Sequence, residues 1–184
     1  QLLNHLTRQG FVTMRVDKQG MGDSRGVPCS ELDFDTEGQG YRAALQHLRS
    51  LDYVDADRIF IIGHSMGGVF APLLARDIPV HGIIAYGTMG EKFMDYFANS
   101  RRTIAAANNM NQVEADEYVR LNCDCFQPYF EKGASFADII ATNPACHEYL
   151  GDMGRTTAFW QQLYRLDIPA LWSVYPGQVL AAWG

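Results

Sequence analysis

The stretch "RIFIIGHSMGGVFAPLLA", Arg58 to Ala75, predicts a buried strand, a tight turn around a serine, and a helix. The run "IFIIG" (59–63) is short and uninterruptedly apolar, which is typical of a strand buried on both faces of a parallel sheet. Residues 66–76 are predicted to be helical. The turn between them, Gly63 to Gly67, fits the pattern G-x-S-x-G, which exposes a serine hydroxyl between a strand and a helix. Ser65 is therefore a candidate nucleophile.

A serine in this position needs particular neighbours. We expect Gly63 and Gly67 to be glycine because side chains two positions from Ser65 would collide on so sharp a turn. Gly68 is expected to let the helix pack closely. A serine hydroxyl is also a weak nucleophile that needs a nearby base, itself oriented by a third group. The alternative is a structural glycine turn that has no catalytic role.

Predicted strands and helices alternate on both sides of this motif. In chain order they are a short helix from Leu2 that ends at Gly10, a strand at 11–16, a glycine-rich loop, a helix with Asp35 as its N-cap, the strand at 59–63, the helix at 66–76 and a strand at 80–88. Apolar strands that alternate with helices indicate an α/β fold, in which a parallel sheet is flanked by helices and joined by right-handed crossovers.

The pattern changes after residue 88. Residues 89–165 contain no convincing strand and have helical stretches near 91–107, 112–121 and 156–165. We interpret 1–88 as the first part of the sheet core, 89–165 as a helical insertion, and 166–184 as a return to the core with a strand at 178–184. Changes in the insertion are then expected to alter substrate choice more than the stability of the sheet.

Composition limits the class of protein. The chain has 184 residues, of which 47% are hydrophobic, enough to bury the core of one domain. It carries 15 Lys and Arg against 21 Asp and Glu, and its largest basic cluster is Arg101-Arg102, so we expect no nucleic-acid partner. No apolar run approaches the roughly 18 residues of a membrane span. Compartment and oligomeric state stay open.

The cysteines are Cys29, Cys123, Cys125 and Cys146. They are too few and too irregularly spaced for a disulfide framework, and we interpret them as free thiols in preference to a disulfide. They also lack the C-x-x-C spacing of structural zinc sites, so no metal is expected.

The glycine-rich loop "VDKQGMGDSRG" (16–26) raises the alternative of a phosphate-binding turn. The dinucleotide fingerprint G-x-G-x-x-G would need a glycine where Arg25 stands, and Pro28 blocks the following helix. We therefore expect no cofactor, and we interpret the loop as shaping the entrance to a site, with Asp17 and Asp23 as loop caps.

Together these segments resemble the α/β-hydrolase superfamily. The resemblance rests on "D-x-x-G-x-G-x-S" (17–24), "VDADRIFIIGHSMGG" (54–68), Gly87-Thr88 and "VLAAWG" (179–184), while "CSELDFDTEGQGYRAAL" (29–45) is similar to bacterial members related to serine peptidases and esterases. It implies that Ser65 is the nucleophile, that the Met66 N–H is one oxyanion donor, and that 89–165 form a cap. The implied substrate is a small-molecule ester or a peptide, cleaved through an acyl-enzyme.

The resemblance also implies parts that these residues lack. In the superfamily the triad runs serine, acid, histidine along the chain, and the acid commonly follows a strand such as 178–184. We therefore expect the acid and the histidine beyond the given sequence, and a further strand before it, so that the chain as given is an inactive fragment. Either a gap should then separate 11–16 from 59–63, or the two strands should collapse and pair directly.

Several other side chains are candidates for a role at the site. His64 is next to Ser65 but should project away from it; His147, in the insertion, could reach the site as a base or a substrate contact, and Arg101-Arg102 could receive a substrate carboxylate. His5, His47 and His81 are expected to be structural or exposed. Two alternatives to a hydrolase remain: a non-catalytic binding module that keeps the fold, and an acyltransferase that uses the same serine.

Overall fold

The computed structural model describes residues 1–182, and a three-stranded parallel sheet runs through its centre. The strands are β1 (Phe60–His64), β2 (Gly82–Tyr86) and β3 (Gln178–Ala182), in the spatial order β1-β2-β3. Tyr86 pairs with His64 on one side and with Ala182 on the other, so the carboxyl ends of all three strands meet at one edge. The α/β class is confirmed, as are the strands near 59–63 and 80–88. Trp183 and Gly184, at the end of the predicted strand 178–184, lie outside the described residues.

Three helices belong to the first part of the chain: α1 (Leu2–Arg8), α2 (Phe34–Ser50) and α3 (Gly67–Asp77). Helix α2 begins earlier than predicted because its N-cap is Asp33 and not Asp35. The Asp33 carboxylate accepts a hydrogen bond of 2.7 Å from the backbone N–H of Thr36. Helix α3 connects β1 to β2. It is buried along most of its length, which explains why the sequence after Ser65 is apolar.

Segment 11–16, predicted as a strand, lies outside the sheet, so that prediction was wrong. The segment is separated from β1 by a cavity of about 710 Å³. This cavity is lined by residues 11–16, by Phe60 to Ile62 and by leucines of α1. A strand forms only where a neighbour can accept its hydrogen bonds, and β1 is paired on its β2 side alone. Direct pairing of 11–16 with β1, one of the two expected outcomes, therefore does not occur.

Between β2 and β3 the chain forms helices α4 (Phe93–Ala107), α5 (Gln112–Lys132), α6 (Phe136–Thr142), α7 (Thr157–Tyr164) and α8 (Ile168–Ser173), with a short 3-10 helix at Pro144–Glu148. The sequence predicted α4 and α7 closely. It ended α5 too early, at 121, whereas buried side chains continue at helical spacing to Phe130 and the helix stops only at Gly133, which has a φ of 70°. No helix in the described part combines the length and apolar composition needed to cross a membrane.

One apolar cluster joins these helices to the sheet core. Phe34 of α2 stacks on Phe70 of α3 with ring centroids 4.2 Å apart, and it meets the edge of Phe159 in α7 at 5.4 Å. The same cluster continues into α4 and α5 through Phe93, Phe97 and Phe130. Residues 89–165 therefore share their core with α2 and α3.

A disulfide joins Cys125 of α5 to Cys146 of the 3-10 helix, with Cα atoms 5.4 Å apart. Both residues are buried. The prediction of free thiols was wrong for this pair, while Cys29 and Cys123 are free. The two cysteines are 21 positions apart in the sequence. The end of α5 and helix α6 lie between them and bring together cysteines whose spacing fits no familiar motif.

Candidate active site

Ser65 occupies the turn between β1 and α3 in a conformation that side chains rarely adopt. Its φ is 53°, and among residues 1–182 the only other non-glycine residue with a positive φ is Asn109. This left-handed conformation costs a residue with a Cβ about 1–2 kcal/mol, and such strain is concentrated at functional sites. The serine is also exposed. The turn therefore presents the Ser65 side chain at the carboxyl edge of the sheet.

Backbone hydrogen bonds hold the turn in place. The Ser65 N–H donates to the carbonyl of Tyr86 on β2 at 3.0 Å, and the Gly68 N–H donates to the carbonyl of Ser65 at 3.0 Å. The N–H groups of Val69 and Phe70 both donate to the Met66 carbonyl. The strained residue is thus fixed from the sheet side and from the helix side.

The glycines around Ser65 have different roles. A Cβ on Gly63 would lie 2.5 Å from the Gly67 carbonyl oxygen, and a Cβ on Gly68 would lie 2.4 Å from the Thr88 hydroxyl oxygen. Nothing lies within 4 Å of the place that a Cβ on Gly67 would take. The collision argument therefore applies to Gly63 and, against helix packing, to Gly68, but not to Gly67.

The backbone N–H of Met66 is available to a ligand. It donates to no acceptor among the described residues, and it stands at the N-terminal end of α3, where the helix dipole favours negative charge. The Met66 side chain packs against the apolar cluster that includes Phe70 and Phe93. The predicted role of this N–H as an oxyanion donor remains a prediction, and the free N–H beside an exposed serine is compatible with it.

No base is assembled on Ser65 among residues 1–182, since its hydroxyl makes no hydrogen bond to a histidine or a carboxylate there. The His64 ring instead stacks on Tyr86, with centroids 5.2 Å apart. His147 is exposed in the 3-10 helix, and the other three histidines, His5, His47 and His81, are also exposed. Within the same residues no group of three or more His, Cys, Asp or Glu side chains could hold a metal ion.

The paired arginines of α4 have separate environments. The Arg101 guanidinium carbon lies 4.7 Å above the Phe97 ring, and Arg102 donates to the Asn99 side-chain oxygen at 3.0 Å. Neither makes a hydrogen bond to Ser65. In the glycine-rich loop, the carbonyl of Asp17 accepts from the Ser24 hydroxyl at 2.9 Å, which agrees with a loop-shaping role.

Sequence reasoning missed a buried ion pair between Glu37 of α2 and Arg155, which precedes α7. The Glu37 side chain is only 2% exposed; it accepts hydrogen bonds from Arg155 and Tyr41 and pairs with Lys18 at 3.0 Å. Burial raises the pKa of Glu37, but the hydrogen bonds and charges of Arg155 and Lys18 outweigh burial and hold it below its ordinary value. A signal was present: Glu37 falls on the same helical face as Tyr41, Leu45 and Leu48, so a charged residue sat among core positions.

The parallel sheet, its crossover helix α3 and the strand-serine-helix turn together define an α/β-hydrolase fold. The family model described as "Serine aminopeptidase, S33" (Hydrolase_4) matches residues 1–114, and the chain belongs to this family.

Two individual proteins are similar to parts of the chain. Over 60 residues it is 37% identical to the quorum-quenching protein AidA of Acinetobacter baumannii (strain MDR-ZJ06), a match that covers 33% of this chain and 20% of that protein. The chain thus spans about a fifth of the length of this curated relative. The crystal structure of the α/β hydrolase GrgF from Penicillium sp. sh18 superposes with a TM-score of 0.47 and 14% identity, over 91% of this chain and 69% of that one.

Proposed function

We propose that the protein is a serine hydrolase that cleaves an ester or amide bond through an acyl-enzyme on Ser65. In this mechanism the Ser65 hydroxyl oxygen attacks the substrate carbonyl carbon and loses its proton to a base. The tetrahedral intermediate collapses, the leaving alcohol or amine takes a proton, and water then releases the acyl group from Ser65. The Met66 N–H would stabilise the negative oxygen in both steps.

The observation that carries this proposal is the conformation of Ser65. A non-glycine residue at a φ of 53° is maintained here by hydrogen bonds on both sides, to β2 and to α3. A purely structural turn would be expected to use glycine at that position, as Gly87 does at the end of β2 with a φ of 54°. Membership of a hydrolase family supports the same reaction class.

The helices of 89–165 are proposed to form the cap that limits access to Ser65. Phe93 lies in the first turn of α4, shortly after the carboxyl end of β2, and packs in the same cluster as Met66. Aromatic side chains from α4, α5 and α7 would then contact the acyl or leaving group of a substrate.

The test is labelling with a fluorophosphonate probe, which forms a covalent bond to the oxygen of an activated serine. In the longest natural polypeptide that contains these residues, we expect Ser65→Ala to abolish both labelling and the hydrolysis of p-nitrophenyl esters. Ser50→Ala is the matched control, because Ser50 is an exposed serine at the end of α2 that bonds only to the His47 carbonyl. Labelling that survives in Ser65→Ala would identify a different nucleophile and reject the proposal.

The 184 residues alone are expected to be inactive. Because no histidine or carboxylate of residues 1–182 is hydrogen-bonded to the Ser65 hydroxyl, we expect this piece to hydrolyse esters no faster than its own Ser65→Ala variant. Turnover that depends on Ser65 in the isolated piece would mean that a base within it reaches the serine. His147→Ala would then identify or exclude the histidine of the insertion.

The two alternatives predict other results. A non-catalytic binding module would show no Ser65-dependent labelling in any natural length of the protein. An acyltransferase would form the acyl-enzyme but release it faster to an added alcohol than to water, which product analysis in the presence of that alcohol would show.

A further inference from the structure

The polar contacts between the insertion (89–165) and the rest of the described chain come from one short stretch, residues 155–162. The Thr156 hydroxyl donates to the Leu32 carbonyl at 3.4 Å, and the Gln162 side-chain oxygen accepts from the Asp35 N–H at 3.0 Å. Arg155 donates to Glu37 and also approaches the Cys29 sulfur at 3.4 Å. The side-chain hydrogen bonds of helices α4, α5 and α6 stay within the insertion.

The packing of the helices agrees with these hydrogen bonds. Helix α7 contacts α2 on one side and α4 and α5 on the other, whereas α4, α5 and α6 make few backbone-to-backbone approaches to the sheet core. Helix α7 is therefore the insertion helix whose backbone lies closest to the rest of the chain, and α4 and α5 pack on it.

The ion pair just before α7 is buried. Both carboxylate oxygens of Glu37 have partners: Oε1 meets Lys18 and Tyr41, and Oε2 meets Arg155. The Glu37 side chain is 2% exposed and that of Arg155 is 14% exposed. A buried carboxylate is tolerated only when charge and hydrogen bonds compensate it, and removal of one partner leaves the other uncompensated. Arg155 cannot move away from Glu37 without that cost, so α7 has a single favoured position at this end.

A series of ring contacts runs from this ion pair towards Ser65. The Arg155 guanidinium carbon lies 3.9 Å above the Phe159 ring. Phe159 contacts Phe34, and Phe34 stacks on Phe70, which lies in the first turns of α3, five residues after Ser65. On its other side Phe159 contacts Trp160 at 5.4 Å. A shift of Arg155 would therefore displace aromatic side chains that pack both on α3 and within the insertion.

We propose that Glu37 and Arg155 are positioning residues that fix α7, and through it the insertion, relative to the Ser65 turn. This inference rests on the proposed function for its kinetic part only. Neither residue needs to touch substrate. Their effect on catalysis would come through the placement of Phe159, Trp160 and the helices that α7 carries.

The test compares Arg155→Met with Arg165→Met. Arg165 stands just after α7, is exposed, and makes no side-chain hydrogen bond or ion pair among the described residues. In the natural enzyme we expect Arg155→Met to raise KM for an ester with a large acyl group by about tenfold or more, because Glu37 loses a charged hydrogen-bonded partner. The same substitution should change kcat less. An acetyl ester, with the smallest acyl group of the series, should be affected less. Arg165→Met should behave as the unsubstituted protein with both esters.

A second measurement needs no activity. Hydrogen exchange should show faster exchange of the α7 amides in Arg155→Met, with α3 and the β2 amides unchanged and with no change in Arg165→Met. If Arg155→Met does not fold, Glu37→Gln carries both measurements, because it keeps the shape of the side chain and removes its charge. Unchanged α7 exchange, or equal changes of KM for long and short esters, would overturn the inference. If Ser65→Ala leaves turnover intact, the proposed function fails while the exchange result still decides the role of Arg155.

Discussion

The backbone N–H of Ser65 donates to the carbonyl of Tyr86 across 3.0 Å, so the turn that carries the serine is tied to the neighbouring strand. This bond continues the β1–β2 ladder by one residue beyond its last regular pair, His64 and Tyr86. The chain reverses into α3 only after it, which places the left-handed residue at the edge of the sheet. The strain at Ser65 is thus maintained by the sheet as well as by the helix.

Gly63 and Gly67 should respond differently to the same substitution. Gly63→Ala places a methyl group 2.5 Å from the Gly67 carbonyl oxygen and should cost about 2–3 kcal/mol of unfolding free energy. Gly67→Ala meets nothing within 4 Å and should be neutral or stabilising by up to about 1 kcal/mol, because alanine restricts the unfolded chain. Urea denaturation followed by circular dichroism measures both. Equal losses would show that the turn is not packed as described.

The disulfide between Cys125 and Cys146 should contribute strongly to the stability of the insertion. A bridge between cysteines 21 positions apart reduces the conformational entropy of the unfolded chain, which stabilises the folded state by about 3 kcal/mol. We expect a Cys125→Ala, Cys146→Ala double variant to lose stability of this order, and the unsubstituted protein to lose it when dithiothreitol is added. Cys29→Ala with Cys123→Ala is the control, since those thiols are free. A control that is as sensitive as the bridge variant would contradict the assignment.

Stability should fall in acid partly because of Glu37. Its pKa in the folded protein is below the ordinary value of 4.5, so its contribution is fully present above that value and is lost as the pH falls through the folded pKa. The charged or titratable groups that face it are Lys18, Arg155 and Tyr41. Glu37→Gln should therefore be less stable than the unsubstituted protein at pH 7, and the difference should shrink towards pH 3. A difference independent of pH would exclude this role.

The cavity beside β1 should make the 184-residue chain bind hydrophobic dyes. Its lining includes Phe11, Val12 and Ile62, which are 54%, 50% and 41% exposed, and apolar patches of this kind bind other apolar surfaces. We expect a rise in the fluorescence of anilinonaphthalene sulfonate that is largely lost in Ile62→Lys. Val113→Lys is the control, because Val113 is 79% exposed on α5 and lies away from the cavity. Equal dye binding by both variants would place the dye elsewhere.

The parts of the fold that were predictable are those specified by neighbouring residues. Strands β1 and β2 are short apolar runs, and helix α3 follows Ser65 directly, so a window of about 18 residues contained the turn and both flanking elements. The requirement for glycine at 63 also followed from local geometry. Gly67 shows the limit of that argument, because whether a methyl group fits depends on where the surrounding atoms lie.

The parts that could not be predicted depend on residues far apart in the chain. Arg155 and Glu37 are separated by 118 positions, and no local pattern relates them. Cys125 and Cys146 meet only because α6 folds back between them. Segment 11–16 has the composition of a strand, but strand formation depends on a partner, and the cavity beside β1 offers none.

The stacking of Phe34 between Phe70 and Phe159 bears on how this protein could be re-engineered. A chimaera that exchanged residues 89–165 for the insertion of a relative would keep Phe34 and Phe70 but lose Phe159, whose edge meets the Phe34 ring. A donor without a ring at that position would leave a void between α2 and α7, and large-to-small changes of this size in a core cost about 3–5 kcal/mol. Exchange of the insertion alone would therefore give a less stable protein, even if its selectivity changed. The donor's residues at positions 34 and 70 would have to be exchanged as well.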